Sequence, residues 1–211
     1  VTRATRRTCA LPPFDARGAQ FDGCALDDAR LGGFALSGAN FNHATLARAD
    51  LKEAHATDVS FRGAFMRETQ MQRAGLQRTD FSAAHLEGAN LDDADLTRTE
   101  MGAARLQDGS LGGALLYGAK LDAADLRWLS ARRADFTMAS LSYADFEGAL
   151  LAGASFAGAD LTGVSFKGAE LTGADFSRAA GLDTCDFAAA TGFDGRMRRA
   201  GGSVEVRLTG R

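Results

Sequence analysis

From residue 21 to residue 176 a large apolar side chain recurs at every fifth position, with small or polar residues between. Of the 32 positions 21, 26, 31 and onward, 30 are Leu, Phe or Met, the exceptions being Ala56 and Ala131. Two residues before each centre, 23 positions are Ala; two residues after, 13 are Gly. Ala and Leu favour helices, but a helix cannot use this spacing. Five residues at about 100° each leave successive centres roughly 140° apart, so the apolar positions would spray around the axis. A flat strand fails as well, because an odd period sends successive centres to opposite faces. A chain that turns a corner every five residues keeps every centre pointing inward, and four corners close a square coil of 20 residues.

Each residue type then has a place. The centre fills a narrow bore and must be large and apolar. Its Ala neighbour also points inward, where only a small side chain fits. Gly two residues after the centre sits at the corner, where positive φ is needed, and the other positions face water. The 32 centres make about eight coils, a rod about 38 Å long at about 4.8 Å per coil. Residues 20 apart sit above one another, so four columns can be read from the text. The first holds Phe21, Phe41, Phe61 and Phe81. The second ends in Phe146 and Phe166, and the fourth in Phe136, Phe156 and Phe176. These phenylalanines are the expected structural core. Two irregularities fit the register as volume-conserving swaps. Leu129 points inward where Ala131 takes the centre, and Phe34 fills a small-residue slot with Ala56 one coil on.

The stretches "ANLDDADLTRT" (89–99) and "ADLTGVSFKGAELTGADF" (159–176) carry a resemblance. The chain resembles the pentapeptide-repeat proteins, whose motif is A(D/N)LXX, over residues 19–178. The resemblance implies an all-β fold: a right-handed quadrilateral parallel β-helix, a solenoid of about eight coils capped at both ends. It also implies two functional options, a rigid scaffold for another macromolecule or an acidic DNA mimic that binds DNA gyrase and gives quinolone resistance.

The pattern divides the chain into a leader or cap (1–18), the repeat β-helix (19–180), and a C-terminal cap or dimerisation segment (181–211). An open parallel coil has unpaired backbone at each end and needs a cover. The register shifts by one near Gly181, giving Leu182 and Phe187, and is then lost; "SVEVRL" (203–208) alternates like a strand. Cys9, Cys24 and Cys185 are few, odd in number and far apart. That pattern reads as a reducing compartment and a cytoplasmic location, with Cys24 as core packing. No apolar run reaches the roughly 18–20 residues that span a bilayer.

Charge decides little in favour of nucleic acid. The net charge is −3 overall, which gives no reason to expect direct nucleic-acid binding. Residues 19–178 carry 22 acidic and 15 basic side chains, distributed as −3, −3, 0 and −1 over the four faces. Duplex DNA of about 38 Å carries roughly 22 charges, so mimicry is thin, although Asp95, Asp135 and Asp175 recur on every second coil.

Catalysis has little to work with. His43, His55 and His85 fall on three different faces and make no metal cluster. The pairs Asp27-Asp28 and Asp92-Asp93 lie on a convex surface without a pocket to shift their acidity. No catalytic residue, metal ligand or cofactor is expected. The remaining signal is a set of apolar residues at outward positions: Leu115, Tyr117, Trp128, Met138, Tyr143 and Leu150, with Arg132 and Arg133 near the single tryptophan. Trp, Tyr and Arg are enriched in binding hot spots. The expectation is therefore a non-catalytic scaffold with an unidentified protein partner, with gyrase binding as the alternative and a homodimer through the C-terminal segment as a further option.

Overall fold

The computed structural model describes residues 7–12, 14–192, 196–199 and 202–205. Its backbone is a stack of parallel bridges, each joining a residue to the one 20 further on, from Asp15↔Ala35 to Asp160↔Ala180. We number the faces one to four by their centres at 21, 26, 31 and 36, and each corner by the two faces it joins.

Every side of the coil repeats one hydrogen-bond scheme. Phe21 N–H donates to the Asn40 carbonyl (2.7 Å), and Asn40 N–H donates back to Ala19 (2.9 Å). Gly23 N–H donates to Asn42 (2.8 Å), and Cys24 N–H closes the corner onto Phe21 (3.0 Å). Coil after coil, the residue after the centre has an N–H with no backbone acceptor among the described residues. A side chain often fills that vacancy. Asp95 Oδ1 accepts from Thr97 N–H (3.0 Å), Asp135 from Thr137 (2.9 Å) and Asp175 from Ser177 (2.8 Å). This is why Asp and Asn precede the centre so often: an orphan amide is satisfied locally by an Asx turn. The outward Asp positions are therefore constrained, whereas the sequence pattern alone suggests that they vary freely.

All 32 corners hold positive φ, including 19 that are not glycine. The coil imposes the left-handed conformation on Arg, Asp, Trp and Tyr alike, with φ between 53° and 61°.

Inside the bore the phenylalanines are buried and stacked. Phe21, Phe41, Phe61 and Phe81 lie face to face with centroids 4.7, 5.0 and 5.2 Å apart. Toward the C-terminal end a pair of such stacks runs side by side, Phe136–Phe156–Phe176 and Phe146–Phe166–Phe187. Between those stacks the rings meet edge to face, as at Phe146–Phe156 (5.8 Å, 86°), the arrangement the ring quadrupole favours. Inward threonines replace Ala where a hydroxyl can reach a carbonyl. Thr69 Oγ1 donates to Met66 (2.7 Å), and Thr79 Oγ1 to Ala56 (2.7 Å). Leu129 and Ala131 are both fully buried. A Cβ on Gly109, 20 residues before Leu129, would lie 3.5 Å from Leu129 Cδ1 and 3.0 Å from two carbonyl oxygens. Glycine there leaves room for the displaced leucine.

The ends differ from the expectation in two respects. β1 (Arg7–Thr8) pairs in parallel with β2 (Cys24–Ala25), and Cys9 is disulfide-bonded to Cys24 with Cα atoms 5.8 Å apart. The reading of all three cysteines as reduced, and of Cys24 as packing alone, is thereby corrected. The leader doubles back onto the first coil, which brings residues 15 apart in sequence together. Cys185 is free, and burial pushes its thiol up to about 12. At the other end the period is not lost after Phe187. A short 3₁₀ turn, η1 (Leu182–Thr184), absorbs one extra residue, and bridges spaced by 21 continue through Ser165↔Asp186 to Glu170↔Thr191. Gly181 begins that turn at φ 73°, with a would-be Cβ only 2.5 Å from Thr162 N. β3 (Arg196–Arg199) and β4 (Gly202–Glu205) then form an antiparallel hairpin. Residues 206–208 of the alternating tail lie outside the described residues.

Candidate functional site

Corner side chains lean toward the next coil, and what they meet there defines the surface. In the N-terminal half three pairs of them meet opposite charges, while His43 and Glu68 lie over Gly63 and Gly88. Arg48 forks onto Asp28 (2.8 and 2.7 Å) and Arg78 onto Asp58 (2.8 and 2.6 Å), and Arg73 reaches Glu53. The Arg48 guanidinium holds the Asp28 carboxyl below the usual carboxylate range, and Arg78 does the same for Asp58. Burial pushes the Asp80 carboxyl up, yet hydrogen bonds from Ser82 and Arg62 outweigh it and leave the group lowered.

Beyond residue 125 the corners meet glycine instead. The Trp128 ring lies over Gly148, its Cδ1 2.5 Å from where a Cβ would stand. Measured the same way, to where a Cβ would stand, Met138 Sδ is 2.7 Å from Gly158, Tyr143 Cδ1 2.7 Å from Gly163 and Arg133 Cγ 3.6 Å from Gly153. Trp128 is also held from the side. The Arg127 guanidinium sits 5.2 Å from its ring centroid and is itself clamped by Asp125 (2.7 Å). The indole is thus fixed in place while 52% exposed, a condition that lowers the ordering cost of a contact.

The register places the outward residues as follows. Trp128 stands at the corner of faces two and three, and Arg132 and Leu150 on face three. Arg133 occupies the corner of faces three and four. Leu115 and Tyr117 lie on face four, and Met138 at the corner of faces four and one. These seven make one continuous band half-way round the rod. Tyr143, 70% exposed, stands apart at the corner of faces one and two. Leu150 is half-buried rather than exposed.

Sequence reasoning missed the centre of this band. Asp93, Gly112, Gly113, Arg132, Arg133 and Ala152 enclose a depression of about 430 Å³. It exists because coil residues 112, 113, 152 and 153 carry at most a methyl group. The signal was available as the adjacent glycines of "LGG" at 111–113. On the near side Asp92 Oδ1 accepts from Gly112 N–H (2.7 Å), and Asp93 leans over Gly113. On the far side Arg132 Nη2 spans Ala152 to donate to Glu170 Oε2 (3.1 Å). The Arg133 guanidinium makes no hydrogen bond or ion pair with any described residue.

His43 lies 3.4 Å from Asp22. His85 is half-buried, stacked on Phe65 at 4.9 Å with Nδ1 3.4 Å from Glu87 Oε1. Among the described residues no group of three or more His, Cys, Asp or Glu is placed to hold a metal ion. Nor is any helix among them long and apolar enough to cross a membrane. The arrangement presents a rigid surface with an anchored aromatic and a polar notch.

A closed square stack of this kind is a solenoid, the quadrilateral β-helix. The chain belongs to the Pentapeptide repeats family, eight copies of whose pattern match over residues 35–73, 74–108, 100–137 and 139–178, and its coil is the right-handed one of that family. Among solved structures it is similar to HetL, a pentapeptide repeat protein involved in heterocyst differentiation regulation from the cyanobacterium Nostoc. That match has 28% identity over 79% of this chain and 87% of that one, with a TM-score of 0.39. Trypsin-treated QnrB1, a plasmid-mediated fluoroquinolone resistance protein, matches at 14% identity over 85% of both chains, with a TM-score of 0.49. A pentapeptide repeat protein of the Arabidopsis thaliana thylakoid lumen matches at 33% identity over 50% of this chain and 66% of that one, with a TM-score of 0.26. No curated protein sequence matches the chain.

Proposed function

We propose that this chain is a non-catalytic scaffold that presents faces three and four, between residues 112 and 153, to a protein partner. The observation that carries the reading is Trp128, exposed yet immobilised by Arg127 and Gly148. It sits in a band with Leu115, Tyr117, Arg132, Arg133, Met138 and Leu150. An anchored aromatic beside arginines is the composition of a binding hot spot. In this reading 19–180 is a rod of eight coils, 1–18 covers one end, and 181–211 is a cap or a dimerisation segment. Replacing Trp128 and Tyr117 together with Ala leaves the melting curve in place and weakens capture of the partner. Undiminished capture by the folded double variant refutes the reading.

Gyrase binding through DNA mimicry has less support. The carboxylates it needs on the outside are largely engaged, in axial pairs such as Asp28–Arg48 and Asp58–Arg78 or in Asx turns such as Asp95 and Asp135. A supercoiling assay with and without quinolone tests it directly: no inhibition and no protection at micromolar protein eliminate it. The cytoplasmic location rested on unpaired cysteines, and the Cys9–Cys24 bridge removes that support.

A further inference from the structure

We infer that the notch at Gly112–Gly113 receives an extended acidic peptide segment of the partner, one of whose carboxylates pairs with the Arg133 guanidinium. The inference rests on the reading that this band binds a protein, and it names the chemistry of what is bound.

Arg133 is the starting point. The cations nearest it along the chain are all occupied: Lys120 by Glu100 (2.8 Å), Arg127 by Asp125 (2.7 Å) and Arg132 by Glu170 (3.1 Å). The Arg133 guanidinium alone among them has no acceptor among the described residues, although a planar fork of five donors is the side chain best suited to a carboxylate. Its stem lies along Gly153, so the guanidinium is directed by packing rather than left to wander. The face around it is locally cationic. Segments 109–113, 129–133 and 149–153 contain Arg132 and Arg133 and no acidic residue.

Shape and polarity restrict the occupant further. The depression of about 430 Å³ has a floor of Gly112, Gly113 and Ala152, wide enough for a peptide backbone with one or two side chains. Asp93 closes one end and the arginines the other, so the notch is polarised. A carboxylate is drawn to the Arg133 end and repelled from the Asp93 end, which fixes the direction of the bound segment. Trp128 and Leu150 flank the cationic end and suit an apolar residue next to the acidic one. A nucleic-acid strand fits poorly. Its phosphates repeat along the whole backbone, and Asp92, Asp93 and Glu170 interrupt the cationic stretch after about two coils, some 10 Å.

The test uses the full chain and its single tryptophan, which stands in the band and reports on it. A fluorophore-labelled peptide alternating Leu and Asp is titrated by anisotropy, with Trp128 emission followed in parallel. Controls are the same peptide with Asn for Asp, the same with Lys for Asp, and inorganic phosphate. The expected result is saturable binding of the Asp peptide with a change in Trp128 emission, at least ten-fold weaker binding of the Asn peptide, and weakening by added salt. Arg133→Ala reduces the affinity at least ten-fold. Gly112→Gln does the same by filling the notch with a side chain that Gln72 already carries at the equivalent place in the coil. Circular dichroism and melting curves of both variants match the parent. Equal binding of the Asn or Lys peptide, equal affinity of Arg133→Ala, or displacement of the Asp peptide by millimolar phosphate overturns the inference. If no peptide binds while the Trp128/Tyr117 double variant still loses its partner, the acidic segment is refuted and the protein-binding reading stands.

Discussion

The corners between residues 28 and 78 and those between residues 128 and 163 occupy the same places in the same coil, yet they use them mainly in different ways. In the first stretch six of the charged side chains pair with an opposite charge one coil away, in Asp28–Arg48, Glu53–Arg73 and Asp58–Arg78, while His43 and Glu68 lie over glycines. In the second, Trp128, Met138 and Tyr143 meet a glycine. The backbone does not distinguish them: φ is 60° at Asp28 and 56° at Trp128. Corner conformation is therefore set by the stack, and corner side chains are free to do something else. One half of the rod uses three pairs of them to tie coils together, and the other uses Trp128, Met138 and Tyr143 to build a surface. The core differs in parallel, with one phenylalanine stack in the first half and two interlocked stacks in the second.

The largest expected effect tests that difference in the core. Phe156 touches rings above and below it and two more edge to face, whereas Phe61 meets the rings of Phe41 and Phe81 alone among the described residues. Phe156→Ala and Phe61→Ala each cost about 3–5 kcal/mol in urea unfolding, with Phe156→Ala the costlier of the two. Equal losses mean that the edge contacts between stacks add nothing.

Next in size is the N-terminal bridge. Cys9→Ser removes a link closing a loop of 15 residues, worth about 3 kcal/mol in the chain-entropy description. Hydrogen exchange should quicken around Cys24–Leu26 and stay unchanged at 136–176. A uniform change along the rod breaks the picture of two separately held halves.

A smaller effect separates corner strain from corner packing. Gly173 and Gly148 share φ near 69°, but a Cβ at Gly173 meets nothing within 4 Å while one at Gly148 meets Trp128. Gly173→Ala loses about 1 kcal/mol from backbone conformation alone. Gly148→Ala loses more and red-shifts Trp128 emission as the ring is pushed into water. Identical melts and spectra for the two variants remove Gly148 from the support of the band.

The smallest effect comes from acid. Hydrogen bonds from Arg48 and Arg78 lower the folded-state pKa of Asp28 and Asp58, and one from Arg17 brings Asp15 to about 2. Lowered groups add stability that is present above the unfolded value near 4 and lost as pH falls through the folded one. Melting temperature should therefore decline gently from about pH 4 toward pH 2. Exchange should open first between residues 15 and 95, where most of the lowered carboxylates lie. Earlier opening of 136–176 contradicts that order.

Much of this molecule is legible in its sequence because its physics is periodic. A square coil makes the same demand at every fifth residue, so the inward phenylalanines and the misfit at Leu129 can be read without coordinates. Features that depend on a departure from the period are not legible in this way. Cys9 lies before the first repeat, so no spacing rule predicts that the leader folds back to Cys24. Asp95 and Asp135 look like free surface charge because the orphan amide they satisfy becomes visible only once the ladder is drawn. The notch escaped for a related reason. Gly113 reads as one more corner glycine and Gly112 as an ordinary outward residue, whereas their contribution is the space they leave between Asp93 and Arg133. Chemistry at the surface is written partly in missing side chains, and a search for residue types passes over them.

The extra residue at Gly181 shows what kinds of length change this architecture tolerates. One residue more, taken up in the 3₁₀ turn Leu182–Thr184, leaves Phe187 stacked on Phe166 at 5.3 Å. A corner thus acts as an expansion joint. Length changes elsewhere behave differently, and in discrete steps. Removing 20 residues shortens the rod by a storey and leaves every column above in line. Removing five keeps every centre inward but rotates everything beyond the cut by a quarter turn. Such a deletion placed between residues 93 and 112 would carry Trp128 and Arg133 to a different side of the rod from Asp93, while each remained on a well-packed coil. Evolution and engineering alike can therefore re-aim a surface on this scaffold by editing its length, without touching a single contact residue.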